Sequence, residues 1–210
     1  MQLKKFFTPQ NVAYLAVLTA LVVVLQFFGG TIKITPATSL SFVLLPIVLG
    51  AVLLGPFAGA FLGGVFGLIT YLFGVTGADF FTSVLFQSHP FLTALVCFGK
   101  GICAGLAAGF VYRLVNKKNA YVALFLAAAA TPIVNTGLFL LGMIPMAETL
   151  TLNFVEEGST LVYFLFIGCA GINFLIELAI NLVVAPALFR VVQVVEKQLT
   201  KKKKKTEEES

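Results

Sequence analysis

The chain is 210 residues long, 59% hydrophobic and only 11% charged, with a formal net charge of +5 and a mean hydropathy of +1.01. A water-facing domain carries roughly 25% charged residues, so this composition excludes a disordered chain, a soluble nucleic-acid-binding domain and a secreted disulfide scaffold. The positive excess flanks apolar stretches and ends in the run Lys201–Lys205, a distribution suited to membrane orientation rather than to nucleic acid.

A hydrocarbon core about 30 Å thick asks for ~20 mostly apolar residues per helix, and six stretches approach that length. The first covers about Asn11–Phe28. Lys4 and Lys5 precede it as in a secretory signal, but its apolar core is long and Phe27-Phe28-Gly29-Gly30 offers no small-x-small cleavage site, so it reads as a retained span. Ala13, Ala16 and Ala20 give it a small-residue stripe. The segment Ala16-Val-Leu-Thr-Ala20 is an AxxxA pattern that suits packing within the bundle or contact with another membrane protein.

The second span, about Leu40–Leu54, and the third, about Phe57–Phe73, are short and separated by Gly55-Pro56. Gly55, Gly59, Gly63 and Gly67 recur every four residues, and Gly101, Gly105 and Gly109 do so in the fourth span, about Phe91–Leu114. Such ridges let helix backbones approach closely, and both are expected to pack inside the bundle. Between the third and fourth spans, Phe80–Phe86 reads as a short interfacial helix and His89, before Pro90, as a helix-start residue. The fifth span runs about Tyr121–Met143 and the sixth about Leu161–Val192. Cys97, Cys103 and Cys169 lie in apolar runs without CxxC spacing, as buried filler rather than as zinc ligands or disulfide partners.

Basic residues in short loops set the orientation. Lys4, Lys5, Arg113, Lys117, Lys118, Lys197 and Lys201–Lys205 fall on one side, against Lys33 with Asp79, Glu148, Glu156 and Glu157 on the other. The expectation is an all-α membrane protein of six transmembrane helices with both termini cytoplasmic. Residues 1–195 form its substrate-binding domain and 196–210 a charged cytoplasmic tail with some affinity for anionic lipid. The longer connections, 29–39, 74–90 and 144–160, then face outward, where a ligand would be met.

Ionisable residues inside a span are costly and are functional candidates by default. Lys100 in the fourth span and Glu177 in the sixth qualify. Asn173, Glu177 and Asn181 share one helix face at i, i+4 and i+8, and Asn135 with Thr136 interrupts the fifth span. Counted from the outer span ends at ~1.5 Å per residue, Lys100 and Asn135 lie roughly 12–14 Å deep, Asn173 deeper, and Glu177 about 10 Å below Lys100. Lys100, Asn135 and Asn173 thus suit an outward-opening pocket for a small polar molecule, whereas Glu177 suits a structural role or ligand contact. No HExxH, GxSxG or phosphate-binding glycine loop is present, so the chain reads as a binding protein without cofactor or metal rather than an enzyme. A self-sufficient facilitator, using the Asn173–Glu177–Asn181 face as a polar path, and a ligand-free scaffold are the competing classes.

Six short spans, the first-helix AxxxA stripe, the segment Leu49-Gly-Ala-Val-Leu-Leu-Gly-Pro-Phe-Ala-Gly-Ala-Phe-Leu-Gly-Gly64 and the segment Thr131-Pro-Ile-Val-Asn-Thr-Gly-Leu-Phe139 together resemble the S-components of energy-coupling factor (ECF) vitamin transporters, over about residues 10–195. The resemblance implies high-affinity binding of a vitamin at the outer face, then delivery through a transmembrane T-component and two cytoplasmic ATPases, with toppling in the membrane. It implies that Ala13, Ala16 and Ala20 meet the T-component. It also implies that helices four to six hold the substrate beneath the connections Gly29–Ser39 and Gly74–Pro90. The two quoted segments look most like the pantothenate branch, for which Lys100 would suit the carboxylate and Asn135 and Asn173 the amide and hydroxyls. The absence of Trp beside 22 Phe disfavours a tryptophan-stacked thiamine or biotin site and leaves riboflavin or a pyrimidine open.

Overall fold

The computed structural model describes residues 8–29, 33–35, 38–39 and 42–208, with side chains throughout except for 33–35, 38–39, 196 and 198–208. Helix α1 (Pro9–Gly29) leads into a two-stranded antiparallel ribbon, β1 (Lys33–Thr35) and β2 (Thr38–Ser39), in which Lys33 pairs with Ser39 and Thr35 with Thr38. There follow α2 (Leu44–Leu53), α3 (Pro56–Thr76), α4 (Phe80–Ser88), α5 (Pro90–Val115) and α6 (Ala120–Met143). A 3₁₀ turn, Ile144–Met146, opens α7 (Ala147–Phe154); then α8 (Leu161–Tyr163) and a π-helical turn, Phe164–Cys169, lead into α9 (Gly171–Glu208).

Local chemistry sets these boundaries. Pro56 and Pro90 stand in the first turns of α3 and α5, where a missing N–H loses nothing. The Asp79 carboxylate accepts from Thr82 N at 3.0 Å to cap α4, and the Asn119 side-chain Oδ1 accepts from Tyr121 N and Val122 N to cap α6. Gly55, at φ 104°, reverses the chain between α2 and α3, in a backbone region that a Cβ would strain.

Five stretches are helical, apolar and long enough to cross a membrane: α1, α3, α5, α6 with α7, and α8 with α9. The expected second span is helical over only ten residues, Leu44–Leu53, about 15 Å at the α-helical rise and half a hydrocarbon thickness. Its first two expected residues lie outside the described set. The other spans agree with expectation to within a few residues. Helix α9 continues into the charged tail as far as Glu208. The interfacial helix is present as α4, but Phe81, Thr82 and Leu85 are buried, so it folds inward over the bundle.

The glycine ridges meet each other. A Cβ on Gly63 would strike the Gly101 carbonyl, one on Gly105 the Gly59 carbonyl, and one on Gly67 the Cys97 carbonyl. Small residues thus bring α3 and α5 to backbone contact, where dispersion and close packing act instead of the hydrophobic effect. Ala108, Ala128, Ala185 and Val48 belong to one core cluster joining α2, α5, α6 and α9. Leu18, Val22, Ile47 and Phe66 belong to another between α1, α2 and α3. A third, with Phe81, Val96, Met143, Leu150 and Leu165, lies at the end of the bundle covered by α4 and α7. Cys97 and Cys169 are buried filler as expected, but Cys103 is exposed on the flank of α5, because its position turns away from the glycine face.

Candidate functional site

At the capped end, α3, α4, α5 and α6 line a partly open cavity of about 20 Å³, room for roughly one water. Lys100 lines it from α5, together with Thr70 of α3, Phe81 and Thr82 of α4, Thr93 of α5 and Phe139 of α6. Lys100 is half-buried, with Nζ 5.3 Å from the Phe66 ring centroid and 5.2 Å from that of Phe139. Two aromatic faces attract the ammonium electrostatically but provide no hydrogen-bond acceptor. Among the described residues no ion pair joins Lys100 to Glu177, whose Oε2 has no hydrogen-bond partner.

Two of the cavity's three hydroxyls are engaged. Thr70 Oγ1 donates to the Phe66 carbonyl at 3.0 Å and accepts from Gln26 Nε2 at 3.3 Å, tying α1 to α3. Thr82 Oγ1 donates to Asp79 Oδ2 at 2.7 Å. Thr93 Oγ1 is buried without a partner.

Above the cavity sits an aromatic cap. Phe154 of α7 packs on Phe80 at 5.9 Å, on Phe81 at 5.0 Å and, stacked, on Phe164 at 5.9 Å; Phe81 in turn lies 6.0 Å from Phe139. Thr149 Oγ1 of α7 and His89 Nε2, at the start of α5, are 3.2 Å apart. The connection 144–160 therefore covers the site along with 74–90. For the expected lid Gly29–Ser39, Gly29 closes α1, only the ribbon backbone is described beyond it, and the remainder lies outside the described residues.

The other polar candidates lie outside this cavity. Asn135 is 6% exposed with its Oδ1 unpartnered. Asn173 Nδ2 donates to Glu177 Oε1 at 3.1 Å, and Asn181 Nδ2 donates to the Glu177 carbonyl at 2.8 Å. Glu177 and Asn181 are almost fully buried, and Asn173 Oδ1, Glu177 Oε2 and Asn181 Oδ1 have no partners. None of these residues lines the cavity that holds Lys100.

The alanines Ala108, Ala128 and Ala185 share one core cluster.

Sequence reasoning missed the two aromatic rings beside Lys100 and the threonines of the cavity. The available signal was spacing: Thr93 and Lys100 are seven apart on one face of α5, and Asn135 and Phe139 four apart on one face of α6. On α1, Ala13, Ala16 and Ala20 are all exposed, alongside Val17 at 67%. Only 17% of the most apolar window of α1 is buried, against 39% for α3 and α5.

Residues 10–189 match the family described as ECF transporter, substrate-specific component. The chain is also 33% identical over 145 residues to the "Pantothenic acid transporter PanT" of Lactococcus lactis subsp. cremoris (strain MG1363), an alignment covering 62% of this chain and 72% of the relative.

Proposed function

This chain belongs to the substrate-specific components of ECF transporters, multi-pass cell-membrane proteins that bind vitamins for uptake and form a transport family, not an enzyme family, and from that premise we propose that its substrate is pantothenate. The observation that carries the reading is Lys100, a half-buried cation between two phenyl rings that forms no ion pair among the described residues. A ligand carboxylate there gains a charge-assisted hydrogen bond in a site shielded from water. The name of the 33% identical relative supports the choice among vitamins.

Asn135 and Asn173, each with an unpartnered carbonyl oxygen, serve the ligand's amide N–H and hydroxyls. Glu177 holds the Asn173 amide in place. The ligand is far larger than a cavity of about 20 Å³, so binding requires α4 and α7 to part, breaking the His89–Thr149 contact and the Phe154 cluster. The chain threads the membrane six times, with α2 as the short second pass. Both termini and the basic end of α9 are then cytoplasmic and the cap faces outward. The exposed α1 face at Ala13, Ala16 and Ala20 receives the T-component, which couples the chain to two ATPases.

Isothermal titration of the purified chain tests the site. Pantothenate binds wild type tightly and Lys100→Ala weakly, whereas the corresponding alcohol, which lacks the carboxylate, binds both equally. Wild-type affinity for pantothenate in Lys100→Ala would overturn the carboxylate assignment. Mass spectrometry of small molecules released from the purified protein tests the vitamin itself, and a released flavin or pyrimidine would replace pantothenate.

A further inference from the structure

Threonines in apolar helices usually fold the hydroxyl back onto the carbonyl four residues earlier. Thr19, Thr70, Thr76, Thr131 and Thr151 do so here, at 2.7–3.0 Å. Thr93 does not. It is 2% exposed, its Oγ1 has no partner, and it lines the cavity that holds Lys100. The carbonyl its hydroxyl would otherwise use, that of His89, accepts only the Thr93 backbone N–H, at 2.9 Å. A buried hydroxyl left without a partner is unfavourable, and such a group at a cavity wall is the kind of local misfit that a bound molecule relieves.

Position adds a second constraint. Thr93 and Lys100 are two turns apart on one face of α5, roughly 10 Å along the axis. Thr82 and Thr70, the other hydroxyls of the cavity, are already engaged. One wall of the cavity therefore presents a cation near one end and a single uncommitted hydroxyl near the other.

We infer that Thr93 is a specificity-determining residue of the binding site, pairing through Oγ1 with a hydroxyl at the end of the ligand remote from its carboxylate. The inference rests on the reading of Lys100 as the partner of that carboxylate. It selects elongated hydroxy acids of about the right length over short acids and over acids with an apolar far end. A site built to hydrogen-bond a hydroxyl rejects the analogue that lacks it, because its own polar group is then left unpaired.

Titration of wild type, Thr93→Val, Thr93→Ser and Lys100→Ala with two probes tests this. The probes are pantothenate and an N-acyl-β-alanine of similar length without hydroxyls. Thr93→Val is expected to weaken pantothenate about tenfold and leave the hydroxyl-free probe unchanged, while Thr93→Ser stays within about threefold of wild type. The ligand-free melting temperature of Thr93→Val should equal or exceed that of wild type, since an unpaired hydroxyl has been replaced by a methyl; a merely structural threonine would lower it. Wild-type affinity of Thr93→Val for pantothenate, or equal weakening for both probes, overturns the role of Thr93, and in that case loss of binding in Lys100→Ala still upholds the carboxylate reading. Failure of wild type to bind pantothenate at all overturns both.

Discussion

At the scale of single residues, the site depends on which polar groups the chain leaves without partners. Lys100 has two aromatic faces and, among the described residues, forms no ion pair, so truncating it removes the ligand's charge partner and disturbs little else. Lys100→Ala is expected to cost about 2–5 kcal/mol of pantothenate binding while the ligand-free melting temperature moves by a few degrees at most. Glu177 differs, because its carboxylate holds Asn173 through Oε1. Glu177→Gln keeps an acceptor there and is expected to fold and bind within about threefold of wild type. Glu177→Leu leaves the Asn173 amide unpaired and should lose about 1–3 kcal/mol of stability, read as a fall in melting temperature. A collapse of binding in Glu177→Gln with stability intact would move Glu177 from support to ligand contact. Lys100 and Glu177 were legible as intramembrane charges in an apolar sequence. Phe66, Phe139 and Thr93 were not, since a phenyl ring or a hydroxyl in an apolar run looks like any other until a neighbouring helix defines what it faces.

At the scale of elements, two helix faces made of small residues do opposite things. The glycines of α3 and α5 are buried against each other's backbone, so Gly63→Val or Gly105→Val forces the helices apart and should destabilise by on the order of 3 kcal/mol, measured by thermal unfolding in detergent. The alanines of α1 face outward. Ala16→Trp should therefore leave melting temperature and pantothenate affinity unchanged while abolishing copurification with the T-component. Retained assembly would sink the proposed contact. Spacing identified both stripes, yet could not assign the alanines to the inside or the outside, because a small residue suits a tight contact whichever helix supplies the other half. The cap makes a similar point. Its α4 half was visible as an apolar patch, whereas α7 lies in a connection whose mixed composition, with Glu148, Asn153 and Glu156, hid a helix that buries Thr149 and Leu150. Thr149→Val removes the contact to His89 and is expected to speed pantothenate association about threefold or more in stopped-flow measurements, with a smaller change in affinity.

At the scale of the whole molecule, a bundle with a small capped cavity toward one end fits a receptor that hands its ligand on. Proteoliposomes holding only this chain should bind pantothenate without accumulating it, and accumulation should appear once a T-component, the ATPases and ATP are supplied. Uphill uptake by the chain alone would contradict the division of labour. The sequence by itself determined the membrane class, nearly all the long helices, the glycine seam and the intramembrane charges, because length, hydropathy and residue spacing along one helix are local properties that the bilayer reads directly. Tertiary structure alone decided that Phe66 and Phe139 flank Lys100, that α4 and α7 lie over it, that the alanine stripe is left open, and that the Thr93 hydroxyl is left unpaired at the cavity wall. Each of those depends on where a second helix lies, and the axial register between helices is set by packing across the interface, which no single span encodes.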